Sequence, residues 1–194
     1  MSDQNMNRPR EISYYLKNPF VIFYTFIRMA SAVLILFNPV WGFFLTVFFD
    51  FWDGYFYEMI PRLVEMPRPT YQEYDKFQDW IGYIFMFVVG IKYGLFNILA
   101  LLLVYRLVGQ MIFLKIKKQA VFVVFTNFFE ATFLWYVILP LMNVNPAYFW
   151  FYVLLIVYEL REIFLHLYWP WELKRKGFPK YLCAYFGIRK QALW

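Results

Sequence analysis

Residues 94–114 read GLFNILALLLVYRLVGQMIFL, and this stretch decides the class of the chain. It is apolar on every helical face and carries a single charge, Arg106. At a rise of about 1.5 Å per residue it is long enough to cross a hydrocarbon core of about 30 Å. Working outward, similar stretches occupy 19–37, 40–57, 77–92, 120–142 and 147–168. Asn38-Pro39, Gly94 and the run from Asn143 to Pro146 are the turn signals between them. The expectation is an all-α, polytopic membrane bundle of about six helices. A polar N-terminal segment (1–18) precedes the helical domain (19–169), and a basic, aromatic interfacial tail (170–194) follows it.

Composition agrees with this reading. The chain is 62% hydrophobic and only 16% charged, where a soluble domain would carry about a quarter charged residues. Lys and Arg alternate along the connections. Arg8, Arg10 and Lys17 precede the first span, Arg62, Arg68 and Lys76 follow the second, and Lys115, Lys117 and Lys118 follow the fourth. The remaining turns hold Lys92 alone. By the positive-inside rule both termini are cytoplasmic. The net charge of +6 therefore reads as topology and attraction to anionic headgroups, with no nucleic-acid partner. One cysteine, Cys183, excludes an internal disulfide, and the lone His166 reads as a packed or hydrogen-bonded residue.

Charges inside spans require partners, water or a purpose. Here they are Arg28, Asp50, Asp53, Asp79, Arg106, Glu130, Glu159, Arg161 and Glu162, all in the cytoplasmic halves of their helices. Salt bridges such as Glu130 with Arg161, or Arg28 and Arg106 with Glu130 or Glu159, are the structural reading of several of them. The aspartates call for more. Asp50 and Asp53 are three apart and Asp75 and Asp79 four apart, so each pair shares a helical face. Two antiparallel neighbours can bring four carboxylates together. Such a cluster needs protons or cations, and hard oxygen donors select Mg²⁺, Mn²⁺ or Ca²⁺, of which Mg²⁺ is commonly held by a few carboxylates plus substrate phosphates. Gly54, directly after Asp53, lets a ligand approach the backbone.

These residues resemble the CDP-alcohol phosphatidyltransferase family, whose pattern is D-x2-D-G-x2-A-R-x8-G-x3-D-x3-D. Asp50, Asp53 and Gly54 match its first half, and Asp75 and Asp79 match its last pair. Thr25-Phe26-Ile27-Arg28 matches a T-x-x-R in the family's first helix, and Arg106 falls where its fourth helix often has an arginine. The family's Ala-Arg falls on Tyr57-Glu58 and its later glycine on Tyr71, and the gap between the aspartate pairs is longer. The resemblance implies six transmembrane helices, a homodimer, and a site facing the cytoplasm of the cell (inner) membrane. It implies Mg²⁺ or Mn²⁺ on Asp50, Asp53, Asp75 and Asp79, with Asp50 and Gly54 also meeting the donor and Asp79 acting as general base. Thr25, Arg28 and Arg106 would contact substrate. The partners would be membrane lipids, a CDP-linked donor and an alcohol acceptor, and Asp53→Asn would abolish metal-dependent turnover. Other readings are a prenyl-diphosphate transferase, a cation-coupled carrier, and an inactive relative serving as a structural subunit.

Overall fold

The computed structural model describes residues 12–54, 66 and 68–168. Within them the chain is entirely helical. A short helix α1 (Ile12–Tyr15) precedes α2 (Pro19–Leu34), α3 (Pro39–Gly54), α4 (Arg68–Lys92), α5 (Phe96–Ile116) and α6 (Val121–Leu141). The last helix, α7, runs over 149–168 and closes in a π-helical turn, Phe164–Tyr168. The tail 170–194, Tyr57-Glu58 and most of the Pro-rich loop lie outside the described residues, as does Cys183.

Local chemistry accounts for the boundaries. Asn18 accepts from Phe20 N at 2.9 Å, with Pro19 opening α2 where its missing N–H costs nothing. Asn38 does the same for α3, accepting from Trp41 N at 3.2 Å ahead of Pro39. Gly94 takes φ +75° between α4 and α5, a left-handed backbone that glycine adopts freely. Lys117, at φ 55°, caps α5 in the same region.

Two helices depart from the expected spans. α4 begins at Arg68 and not at residue 77, because its polar first turns find partners inside the bundle and do not need an apolar face. α6 is interrupted. Its first turn, Val121–Val124, stops, and Asn127 restarts the helix by accepting from Glu130 N at 3.3 Å. The freed carbonyls are used: Val124 O accepts from the Tyr105 hydroxyl and Phe125 O accepts from Arg106 Nη1 at 2.6 Å. These donors satisfy carbonyls that the break would otherwise leave unpaired.

α2 packs on α3 and α4, α4 on α5, α5 on α6, and α6 on α7. The apolar core joins Ile35, Phe43, Met86, Val89, Leu99, Phe133 and Val137. These come from the end of α2, the start of α3, the end of α4, the start of α5 and the second half of α6. All lie at one end of an antiparallel bundle, and the charged residues other than Lys92 lie at the other. α5 and α6 are long and apolar enough to cross a membrane. Only 28% of the apolar window of α5 is buried in the protein, against 67% for α6. Leu101, Val104 and Met111 of α5 are exposed.

Among the described glycines, Gly42 is the one where an added Cβ would collide with backbone, that of Ile35 and Leu34. Backbone cannot rotate away as a side chain can. Gly42→Ala is therefore expected to destabilise the chain by about 1–3 kcal/mol, as overpacking does. A lower melting temperature in detergent checks this, and an unchanged one contradicts the α2–α3 packing.

Candidate metal and phosphate site

The polar end of the bundle is organised by Arg28 of α2. Its guanidinium reaches all four aspartates. Nη2 donates to Asp50 at 2.7 Å and to Asp79 at 3.4 Å, and Nη1 donates to Asp75 at 3.1 Å and to Asp53. The periodicity therefore does bring both pairs to one place. Arg28 itself, expected against a substrate phosphate or against Glu130 or Glu159, is committed to the aspartates. Four carboxylates offer a far deeper potential well than one glutamate, and α2 packs directly on both aspartate-bearing helices.

Lys76 is the second cation. Its ammonium donates to Asp75 at 2.7 Å and to Asp79 at 2.9 Å. In the sequence it counts as a loop charge. In the structure it is buried among the acids, and its place between Asp75 and Asp79 is the signal that would have found it. Arg28 and Lys76 together leave two formal negative charges on the four aspartates. Arg161 comes only to 3.9 Å of Asp50, from a half-exposed position.

The carboxylates are not equivalent. Asp50, Asp75 and Asp79 each present an oxygen within 4.8 Å of the others. Oxygens on opposite sides of a cation, at about 2.1–2.5 Å from it, lie about 4.2–5 Å apart, so these three fit one Mg²⁺, Mn²⁺ or Ca²⁺. Each of the three carboxylates also keeps a lone pair beyond its contacts with Arg28, Lys76 and Gln110. The donor set and the residual charge thus suit a divalent cation. Asp53 does not join them. It is 1% exposed, with one oxygen taken by Arg28 and the other by the Tyr71 hydroxyl. Of the four expected ligands, Asp50, Asp75 and Asp79 are the three whose oxygens converge, and Asp53 is instead held by Arg28 and the Tyr71 hydroxyl.

These groups line a cavity of about 470 Å³, in the range of small-molecule sites. Its far wall comes from α5, α6 and α7. Arg106 lies 4.9 Å above the Phe122 ring and 3.6 Å from Glu162, and its Nε has no partner among the described residues. Lys76 lies over the same ring at 5.2 Å. His166 packs at a tilt against Phe122 and sits 3.0 Å from Glu162, as a packed, hydrogen-bonding residue should. Glu159 accepts from the Thr126 hydroxyl at 2.6 Å. No bridge joins Glu130 to Arg161 among the described residues. Thr25 is held elsewhere, donating to Val21 O at 2.6 Å and bonding the Tyr74 hydroxyl. Gly54 ends α3 directly after Asp53. Arg106 therefore brings a cationic group to the wall opposite the carboxylates, while Lys76 sits among them.

Comparison with protein-family models, with characterised proteins and with solved structures gives no match for this chain.

Proposed function

We propose that this chain is a divergent, membrane-embedded transferase like the CDP-alcohol phosphatidyltransferases. It would pass a phosphatidyl or substituted phosphate group from a CDP-linked donor to an alcohol in phospholipid synthesis. The observation that carries the reading is the three-carboxylate set of Asp50, Asp75 and Asp79, facing one cavity with Lys76 among them and Arg106 in its far wall. In this reading the chain is a multi-pass protein of six spans in the cell (inner) membrane, with cytoplasmic termini and a homodimeric assembly. Supporting it are two helices apolar enough to cross and broad exposed apolar surface such as Phe26, Phe37 and Leu101. Soluble monomers rarely display such surface in large patches.

A divalent cation on Asp50, Asp75 and Asp79 would supply neutralisation of the donor's diphosphate. The chain's own groups do the rest. Arg28 holds the carboxylates at fixed spacing from behind. Lys76 and Arg106, which both line the cavity, meet the anionic oxygens. Asp79, steadied by Lys76 and by Gln110 Nε2 at 3.5 Å, takes the proton from the acceptor hydroxyl. The new bond joins that oxygen to phosphorus, and the leaving group is CMP.

The second reading is an inactive relative acting as an assembly subunit, favoured by Tyr71 on Asp53 and by Arg28 within the aspartate cluster. The experiment is CMP release by the purified chain in detergent, with CDP-diacylglycerol, Mg²⁺ or Mn²⁺ and a panel of alcohols. Metal-dependent release is expected. No release with any acceptor, from a folded sample that still binds metal, would favour the subunit. Cation uptake into vesicles would favour a carrier.

A further inference from the structure

Of the acids within the apolar stretches, Glu159 of α7 is the one that does not line the large cavity. It is half-buried and forms no ion pair among the described residues. Arg161 of the same helix turns toward Asp50 at 3.9 Å, and Arg106 of α5 lies against Glu162 at 3.6 Å. Glu159 accepts from the Thr126 hydroxyl at 2.6 Å, but that hydroxyl has one proton to share with Val123 O at 3.0 Å. Glu159 lies about 15 Å along α7 from Phe149. Tyr148, Phe149 and Trp150 are exposed there, as aromatic residues at a membrane interface are. In a hydrocarbon core of about 30 Å, Glu159 is therefore at mid-depth, where a carboxylate without a cation is costly. The surface around it is apolar and open. Tyr152 and Ile156 share its helical face, and both are exposed, as is Val124 at the break in α6. The Tyr105 hydroxyl is spent on Val124 O, which ties α5 to the same face.

We propose that this face docks a membrane-spanning helix of another protein, one that carries a lysine or arginine opposite Glu159. Charge complementarity selects that occupant. Lipid tails offer neither charge nor proton to a mid-depth carboxylate. A second copy about a two-fold axis would set Glu159 against its own counterpart, and exposed lysines such as Lys92 and Lys117 stand at helix ends, far from that depth. The inference rests on the membrane-spanning part of the reading above and not on its transfer chemistry.

The probe is a synthetic leucine-rich transmembrane peptide with one central lysine, alongside an all-leucine peptide of the same length. Each is titrated in phosphatidylcholine vesicles against the chain labelled at Cys183, its single cysteine, and association is read by energy transfer. The lysine peptide is expected to bind the parent about tenfold tighter than the leucine peptide, as one interhelical polar contact in a membrane allows. Glu159→Gln is expected to abolish that preference while its amide oxygen still accepts from Thr126. Ile156→Trp keeps the charge but adds bulk to the exposed face, and is expected to weaken binding of the lysine peptide. Equal binding of the two peptides to the parent overturns the inference, as does a lysine preference that survives Glu159→Gln. Glu159-dependent energy transfer between copies of the chain, with no peptide present, assigns the face to a second copy and refutes it too. A chain that fails to insert into vesicles sinks the membrane reading and this inference together, whereas an inserted chain that releases no CMP sinks only the transfer reaction.

Discussion

Asp75→Asn is expected to reduce metal-dependent CMP release by more than about 10²-fold while leaving the chain folded, a loss typical when a charge-stabilising group is removed. Asp75 is one of the three carboxylates whose oxygens converge, and it lies 2.7 Å from Lys76 and 3.1 Å from Arg28. The amide keeps the size but withdraws one of the two formal charges left for a cation. The same change at Asp53 should act differently. Asp53 is enclosed by Arg28 and Tyr71, so Asp53→Asn should lower the melting temperature with a smaller loss of metal affinity. From the sequence alone the two are indistinguishable. Titrating Mn²⁺ into both variants, with CMP release followed in parallel, separates them. Greater loss of metal binding in Asp53→Asn than in Asp75→Asn would refute the three-ligand set.

Arg28→Met is expected to cost stability before it costs chemistry. Arg28 is 5% exposed and contacts four carboxylates. Methionine matches much of its length but leaves those acids facing one another with Lys76 alone. Breaking a buried ion pair by removing one partner costs about 3–5 kcal/mol. The variant should therefore melt well below the parent, and saturating Mg²⁺ should restore part of the difference by replacing the lost charge. Adding Asp53→Asn should restore a further part, since it removes the carboxylate most enclosed by the arginine. Thermal melts of the single and double variants, with and without Mg²⁺, provide the check. An Arg28→Met chain as stable as the parent would show that these ion pairs contribute nothing net.

Much of the helical layout was legible before any coordinates. Asn38-Pro39, Gly94 and Asn143 stand at the turns they announce, and the apolar stretches between them are helices. The aspartate spacings were also legible, because three- and four-residue offsets share a face on any α-helix. What escaped the sequence depends on neighbours. The start of α4 is polar, and polar residues read as loop until their partners are visible. The break in α6 lies inside an apolar run, and only Arg106 and Tyr105, arriving from α5, make its free carbonyls tolerable. Glu130 beside Arg161 was a reasonable pairing by depth, yet Arg161 turns toward Asp50.

The sequence by itself thus determined the helices, the clustering of charge at one end, and the two aspartate faces, since each follows from local periodicity and burial. Tertiary structure alone decided that Arg28 is the hub of the cluster, that Lys76 lies inside it, and that the Tyr71 hydroxyl bonds Asp53. Those outcomes depend on how far one helix slides and turns against the next. That register is set by side-chain packing between segments distant in the chain, and periodicity within a single helix does not specify it.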